Sequence, residues 1–295
     1  MALYKTANSF FQEQFGQKVY KLALDGGFTC PNRDGTVGVG GCIFCSAGGS
    51  GDFAEKPCGD VAVQLSRAKA RVAGKMRGNA YVAYFQSFTN TYASVDKLRA
   101  IFQPVLEDPS IVGLSIATRP DCLPPEIVDL IASLNQIKPV MIELGLQTIH
   151  EETARFIRRG YPLSVYDKAI ADLGKIGVHI ITHIILGLPG ETPEMMIETA
   201  RYVGLSGSHG VKLQLLHVLK GTDLADLSPE TLSEEAYLEV LCRCILALPE
   251  GTVLHRLTGD APRDLLIAPR WSLDKKRILQ AIKDRCLQEG IVWDS

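Results

Sequence analysis

The chain has 295 residues, 46% hydrophobic and 22% charged, with a formal net charge of −2; this is globular composition with enough apolar material for a sizeable core, and it excludes a global polyelectrolyte-binding charge, though not a local basic patch. The opening MALYKTANSFFQEQFG lacks the basic-then-apolar order of a signal peptide, and the apolar run from Ile180 to Leu188 is broken by Thr182, His183 and Gly187, so no bilayer span is expected. A cytoplasmic protein follows, whose eight cysteines act as thiols or ligands rather than disulfides.

Val19–Leu24 reads as the first strand. Asp60–Ala73 follows as a helix with an N-capping Asp, then a strand at Ala80–Phe85. Ser94–Leu106 starts at a capping residue and spaces its apolar side chains helically, at Val95, Leu98, Ile101, Phe102 and Val105. A strand at Val112–Ala117, a helix at Pro125–Leu134 and a strand at Pro139–Leu146 come next. Helices at Glu151–Arg158 and Ser164–Ile176 lead to a strand at Val178–Leu186, a helix at Pro193–Val203 and a strand at Val211–His217. Ser233–Leu248 reads as helix, and Val253–Leu257 is a candidate seventh strand.

Strand and helix alternating in this way predict parallel strands joined by right-handed crossovers. Ile180, Ile181, Ile184, Ile185 and Leu186 make one strand apolar on both faces, as in a sheet covered on both sides. A doubly wound sheet binding a dinucleotide wants GxGxxG after the first strand; here Asp25-Gly26-Gly27-Phe28-Thr29-Cys30 stands instead. The expected fold is therefore α/β, a partial (β/α)6 TIM-like barrel with a small C-terminal extension and its reactive face at the C-terminal strand ends. Residues 1–17 are expected as a lead-in, 18–220 as the barrel and 221–295 as a helical extension packed on it.

The loop after the first strand carries Cys30, Cys42 and Cys45, spaced C-x11-C-x2-C among seven glycines from Gly35 to Gly51. Glycine lets backbone pass close to a bulky inorganic group, and its N–H groups can bond cluster sulfides. Three thiolates would leave one iron of a four-iron cluster open to a ligand, as catalytic metal sites keep a vacant position. Cys58 reads as a small residue near a helix start. The spacing alone leaves a zinc site with a distant fourth ligand, or a redox CxxC, equally open.

Later motifs decide between them. Thr118-Arg119-Pro120-Asp121, Glu143-Leu144-Gly145-Leu146-Gln147-Thr148, Arg159-Gly160 and His183-Ile184-Ile185-Leu186-Gly187-Leu188-Pro189 follow in order. From about Val19 to His217 the chain resembles the radical SAM superfamily, enzymes that use S-adenosylmethionine (SAM). Within it the pattern is similar to the radical SAM half of the elongator catalytic subunit, which acts on wobble uridine in tRNA, and to a compact bacterial radical SAM group. The Gly-x-Gln and later Arg are also similar to oxygen-independent coproporphyrinogen oxidase. The eleven-residue gap between the first two cysteines is longer than the common three, and Tyr161 stands where the elongator subunit tends to have His.

The resemblance implies a [4Fe-4S] cluster on Cys30, Cys42 and Cys45 that reduces SAM to methionine and a radical able to abstract hydrogen from a substrate. It implies that Gln147 contacts the polar groups of SAM and that Arg159 grips its carboxylate, a pairing for which a guanidinium is suited. Glu143 and His183 become candidates for the same site; taken alone they read as a structural ion pair and a core histidine. Where the superfamily often has Gly-Gly-Glu, this chain has Gln86-Ser87-Phe88-Thr89-Asn90, so Gln86, Thr89 and Asn90 are the candidates for the amino group. A one-electron reductant such as flavodoxin or ferredoxin is implied as a partner.

The substrate expected from the resemblance is a tRNA nucleobase, with a wobble-uridine side chain as the best candidate. Gln214, His217 and the polar loop His255–Pro262 are candidates to line the pocket. Arg263, Arg270, Lys275, Lys276, Arg277, Lys283 and Arg285 form a basic tail with Trp271, read either as an RNA contact or as a solvated helix face with an aromatic anchor. A small molecule or peptide is the rival substrate, and a non-catalytic zinc-stabilised or electron-transfer protein is the rival class.

Overall fold

A computed structural model describes residues 2–75 and 78–294. In chain order the elements are β1 (Ala2–Thr6), α1 (Ala7–Phe15), β2 (Tyr20–Leu24), α2 (Val61–Val72), β3 (Tyr81–Phe85), α3 (Val95–Glu107), β4 (Ile111–Thr118), α4 (Pro125–Asn135), β5 (Val140–Gln147), α5 (Glu151–Phe156) and α6 (Leu163–Lys175). There follow β6 (His179–Leu186), α7 (Pro193–Leu205), β7 (Gly210–Leu215), β8 (Val218–Leu219), α8 (Asp223–Asp226), α9 (Glu234–Leu246), β9 (Val253–Arg256), β10 (Leu266–Ala268), α10 (Lys275–Gln288) and β11 (Ile291–Trp293).

Nine strands form one parallel sheet in the order β11-β1-β9-β7-β6-β5-β4-β3-β2. The run from β2 to β7 is the expected six-strand α/β unit, and β8 pairs with β10 in a small antiparallel ribbon. Local signals fix the helices much as the sequence implies: Asp60, Ser94, Thr192 and Ser233 each accept backbone N–H bonds as N-caps.

Alternate strand residues face opposite ways. Leu22, Ala83, Phe85, Leu114, Ile116, Ile142, Leu144, Ile180, Ile184, Val211 and Leu213 are buried with the covering helices in the main core. The other parity looks into the barrel. There Val82, Met141 and Ile181 pack with Phe11 of α1, joined by Phe10, Phe15 and Val112, so that α1 plugs the N-terminal end of the barrel. Polar residues occupy the layers above that plug, which is where the apolar rule gives way.

Two segments differ from the sequence expectation. The lead-in 1–17 holds β1 and α1, with β1 seated between β9 and β11. The extension from residue 221 is not only helical; β9, β10 and β11 lie in it. Both strands flanking β1 come from the far end of the chain, so no local pattern near residues 2–6 advertises a partner. Among the described residues no helix is long and apolar enough to cross a membrane.

Candidate active site

The C-terminal strand ends open onto a cavity of about 640 Å³ whose wall includes Cys30, Cys42, Cys45, Gln147, Glu143 and Lys212. The cysteine loop descends from β2 and is fastened at both ends of its span. Asn32, itself buried, donates from Nδ2 to the Arg158 carbonyl and lies 3.4 Å from Cys42 Sγ. The Ile43 amide donates to the Ile157 carbonyl at 3.3 Å. Arg33 donates to the carbonyls of Cys45 (3.1 Å) and Ser46 (2.6 Å), which puts a guanidinium beside the thiols.

The segment after β3 braces the same loop. Gln86 Nε2 donates to the Ser50 carbonyl at 2.6 Å, the Phe88 amide to Gly49 at 2.8 Å and the Thr89 amide to Thr29 at 3.2 Å. Gln86 and Thr89 line the cavity. Asn90 is placed differently: fully buried, it spends both amide donors on the Phe85 and Ala117 carbonyls, tying β3 to β4. A methyl on Gly51 would overlap the Ser87 hydroxyl, so the loop lies against the segment after β3 with no room for a side chain there.

The thiols fit a shared inorganic group. Burial pushes the Cys42 thiol up to about 12 and raises Cys45 as well, so both ionise on taking a metal centre rather than before it. Among the described residues no three His, Cys, Asp or Glu side chains converge on a single ion. The three cysteines instead share one wall of a cavity large enough for a polynuclear cluster and a cofactor together. Cys58 is exposed and bonds the Asp60 carbonyl.

Gln147 closes β5 with a φ of 70°, and the pairing with β6 slips there, Gly145 facing His183 and Gln147 facing Ile184. Such a bulge re-aims a side chain. The amide is turned back over Gly145: a Cβ there would lie 2.9 Å from Gln147 Nε2, so glycine makes the space. Oε1 is buried with no hydrogen-bond partner. A strained backbone holding an orphaned acceptor at the cavity wall fits a ligand that brings a donor, as a SAM amine or ribose hydroxyl would.

Arg159 borders the cavity and is 1% exposed, but most of its five donors are committed. Nε donates to the Tyr161 carbonyl (2.9 Å), Nη1 to the Thr148 carbonyl (2.5 Å) and Nη2 to Glu151 Oε1 (3.1 Å). Its guanidinium stacks 4.8 Å from the Tyr161 ring centre, on which Arg119 also sits at 5.1 Å. Tyr161 in turn donates to the Gly145 carbonyl. Arg119 is held by Asp121 through two bonds of 2.9 and 2.7 Å, which turns the Thr-Arg-Pro-Asp motif into a rigid cationic part of the wall.

Glu143 is the centre of the deeper layer. It is fully buried; Oε1 accepts from Lys21 Nζ (2.6 Å) and Ser115 Oγ (2.8 Å), and Oε2 from His183 Nε2 (2.7 Å) and from Lys212 Nζ. Burial opposes ionisation, yet the Lys21 and Lys212 ammoniums and the His183 bond hold the carboxyl well below the usual range. Burial, more than Glu143 can offset, pulls Lys212 down to about 7. Burial and then Lys212 pull His183 down to about 4, so its ring is neutral near pH 7.

The structure thus brings Cys30, Cys42, Cys45, Gln86, Thr89, Glu143, Gln147, Arg159 and His183 to one cavity and leaves Asn90 behind it as a brace. Gln214, His217, His255, Arg256 and Asp260 also line the wall. Sequence reasoning missed Lys21, Tyr84, Arg119 and Lys212. Lys212 did carry a signal, as a lysine inside an otherwise largely buried parallel strand; Lys21 lies in a strand that is only partly buried and carried less. Three of the seven basic residues of the tail are spent on ion pairs. Arg277 binds Glu234 through 2.6 and 2.7 Å bonds, Arg285 binds Glu235 at 2.8 Å and Lys275 binds Asp260; Trp271 Nε1 donates to the Leu232 carbonyl at 3.1 Å.

The chain matches the model of the radical SAM superfamily over residues 30–203 and that of the Radical_SAM C-terminal domain over 208–288. It is 46% identical over 291 residues to YtqA of Bacillus subtilis, covering 97% of this chain and 90% of that one. Over 164 residues it is 26% identical to a tRNA uridine(34) acetyltransferase of Methanocaldococcus jannaschii, covering 53% of this chain and 30% of the other. Its fold superposes on the Elp3 structure of Methanocaldococcus infernus with a TM-score of 0.69 at 16% identity, over 92% of this chain and 63% of that one. With its cysteine loop on the first barrel strand and its strained glutamine on the fourth, this chain belongs to the radical SAM superfamily.

Proposed function

We propose that this protein cleaves SAM reductively at a [4Fe-4S] cluster bound by Cys30, Cys42 and Cys45, and that hydrogen is then abstracted from a nucleobase of tRNA. The observation that carries the first half is the sharing of one cavity by three loop thiols and the partnerless Oε1 of Gln147. Cys30, Cys42 and Cys45 would hold the cluster, which together with SAM would supply a radical strong enough for hydrogen abstraction. The protein's part is to hold and to shield. Arg33 beside Cys45 offsets negative charge at the thiols; Gln147 Oε1 accepts from SAM; Tyr161 and the stacked Arg119 and Arg159 keep the wall rigid. Residues 86–89 hold the loop in place.

The tRNA half is supported by similarity to a tRNA uridine(34) acetyltransferase, which this chain matches over about half its own length. A small polar substrate is favoured by a different observation: Lys275, Arg277 and Arg285 of the tail already pair with carboxylates, which leaves less basic surface for an RNA backbone.

The test is anaerobic reconstitution with iron and sulfide, reduction, addition of SAM and assay of 5′-deoxyadenosine, with Cys42→Ala as control. Deoxyadenosine from the wild type alone supports the reading, whereas a zinc-loaded protein that leaves SAM intact removes it. Stimulation by tRNA from a strain lacking the gene, weakening steeply with salt, supports the RNA substrate. Stimulation only by a small-molecule extract, indifferent to salt, supports the rival. A flavodoxin or ferredoxin is the proposed electron donor.

A further inference from the structure

The deep layer of the cavity carries more positive than negative charge. Lys21 and Lys212 both form their ion pair with Glu143, so one carboxylate answers two ammoniums. Arg256 stands nearby, but its partner Asp260 is shared with Lys275. The neutral His183 adds no charge at pH 7, and His255, driven well below its usual range by burial and then Lys21, adds none either.

Each ammonium also keeps a donor to give. Lys21 donates to Glu143 and, at 3.4 Å, to Ser115; Lys212 donates to Glu143 and, at 3.1 Å, to Tyr84 Oη. An ammonium has three N–H donors. The two nitrogens lie 4.7 and 4.6 Å from the Tyr84 ring centre, so one aromatic ring keeps them side by side in the cavity wall. A buried Lys212 and a part-buried Lys21, each with a spare donor and with one carboxylate between them, form an incomplete ion cluster, which a third partner completes while holding Lys212 in its charged form.

We infer that the Lys21–Lys212 pair receives an oxyanion of the substrate, a carboxylate or a phosphate, seated beside Tyr84 in the floor of the barrel. The inference rests on the cavity being the chamber in which SAM and substrate meet, and it names the chemical class of that substrate. The site is distinct from the rim where Gln147 stands: Glu143 precedes Gln147 by four strand residues, about 13 Å of extended chain. The ligand therefore spans the cavity from the cysteine loop to its floor, its anionic end lowermost.

The groups facing Lys212 are Glu143, Lys21, Tyr84, His183 and Arg256. An added anion favours the charged amine and so protects it from acylation. The experiment is a trace pulse of isotopically labelled acetic anhydride on the reconstituted full chain without SAM, read lysine by lysine by mass spectrometry across pH 5 to 10. Lys212 is expected to label half-maximally near pH 7, well below the surface lysines. Inorganic phosphate or acetate is expected to slow it about fivefold at pH 7, the effect of a one-unit rise in its pKa, while surface lysines are unmoved. Stronger protection by phosphate identifies a phosphate ester, and stronger protection by acetate a carboxylate. Lys21→Met abolishes the protection and Lys21→Arg retains it. Absence of protection by either anion overturns the inference, and so does equal protection in Lys21→Met. Because the readout needs no SAM cleavage, protection without deoxyadenosine formation refutes the enzymatic reading alone, and the reverse pattern refutes only the anion site.

Discussion

Lys21 and Glu143 stand 122 positions apart in the chain, yet their side chains meet at 2.6 Å in the middle of the barrel. Ser115, His183 and Lys212 close on the same carboxylate, so four strands besides its own depend on Glu143. Glu143→Gln keeps the shape and removes the charge, leaving two ammoniums without an anion. A loss of about 3–5 kcal/mol is expected, as when one partner of a buried pair is removed. Urea unfolding of the purified variant measures it; a loss under about 1 kcal/mol would show that the cluster is wet and weakly coupled.

The same cluster sets a direction for the pH dependence of stability. His183 sits at about 4 in the fold against an ordinary 6.5, so between those values the unfolded chain takes up a proton that the folded chain refuses. Stability from this group is complete above pH 6.5 and falls toward pH 4. Lys212, held at about 7 against an ordinary 10.5, acts in the same sense higher up: stability rises with pH from 7 to 10.5. The slope is about 1.4 kcal/mol per pH unit for each proton. Unfolding curves at pH 5, 7 and 9 should climb in the wild type, and Lys212→Met should flatten the upper half.

Gln147→Gly separates strain from binding. A non-glycine residue at φ 70° costs about 1–3 kcal/mol, which glycine relieves, while its extra unfolded-state freedom takes back about 0.5–1. Melting should therefore be unchanged or higher. SAM affinity, measured by calorimetry on the reconstituted protein, should fall about tenfold, the loss of one good hydrogen bond. A variant that melts lower and binds SAM normally would show Gln147 to be structural.

Gly51→Ala tests how tightly the cysteine loop is fitted. The new methyl would overlap Ser87 Oγ and lie 2.8 Å from Ser87 Cα, which is backbone and cannot swing aside. The loop must shift outward, carrying Cys45 with it. Iron bound per chain after reconstitution should drop severalfold while the helical circular dichroism is retained. Full iron loading would mean that the loop relaxes without cost.

The six-strand unit was legible because most of its strands announce themselves by an apolar run, and α2, α3 and α7 by the caps Asp60, Ser94 and Thr192. The cysteine spacing and the Gly-x-Gln located the site at strand ends. β1 was not legible, since what makes Ala2–Thr6 a strand is a slot between β9 and β11. Arg159 illustrates a subtler gap. Its type and position suggest an anion clamp, but the carbonyls of Thr148 and Tyr161 and the carboxylate of Glu151 become visible as its partners only in three dimensions. Likewise Arg277 and Arg285 of the tail are paired with Glu234 and Glu235, forty to fifty residues upstream.

The seat of β1 also bears on how the molecule is made. Thr6 bonds Asp294 across a separation of 288 residues, and Ala2 pairs with Ile291. Residues 2–6 therefore leave the ribosome long before either neighbour exists, and an edge of exposed backbone donors must wait until β9 and β11 are made. The plug helix α1 is joined to that strand, yet the residues it packs on, Val82, Met141 and Ile181, all precede β9, so the plug can seat before β1 does. A chain cut short before β9 would keep the plug and its partners but leave β1 with neither strand that seats it.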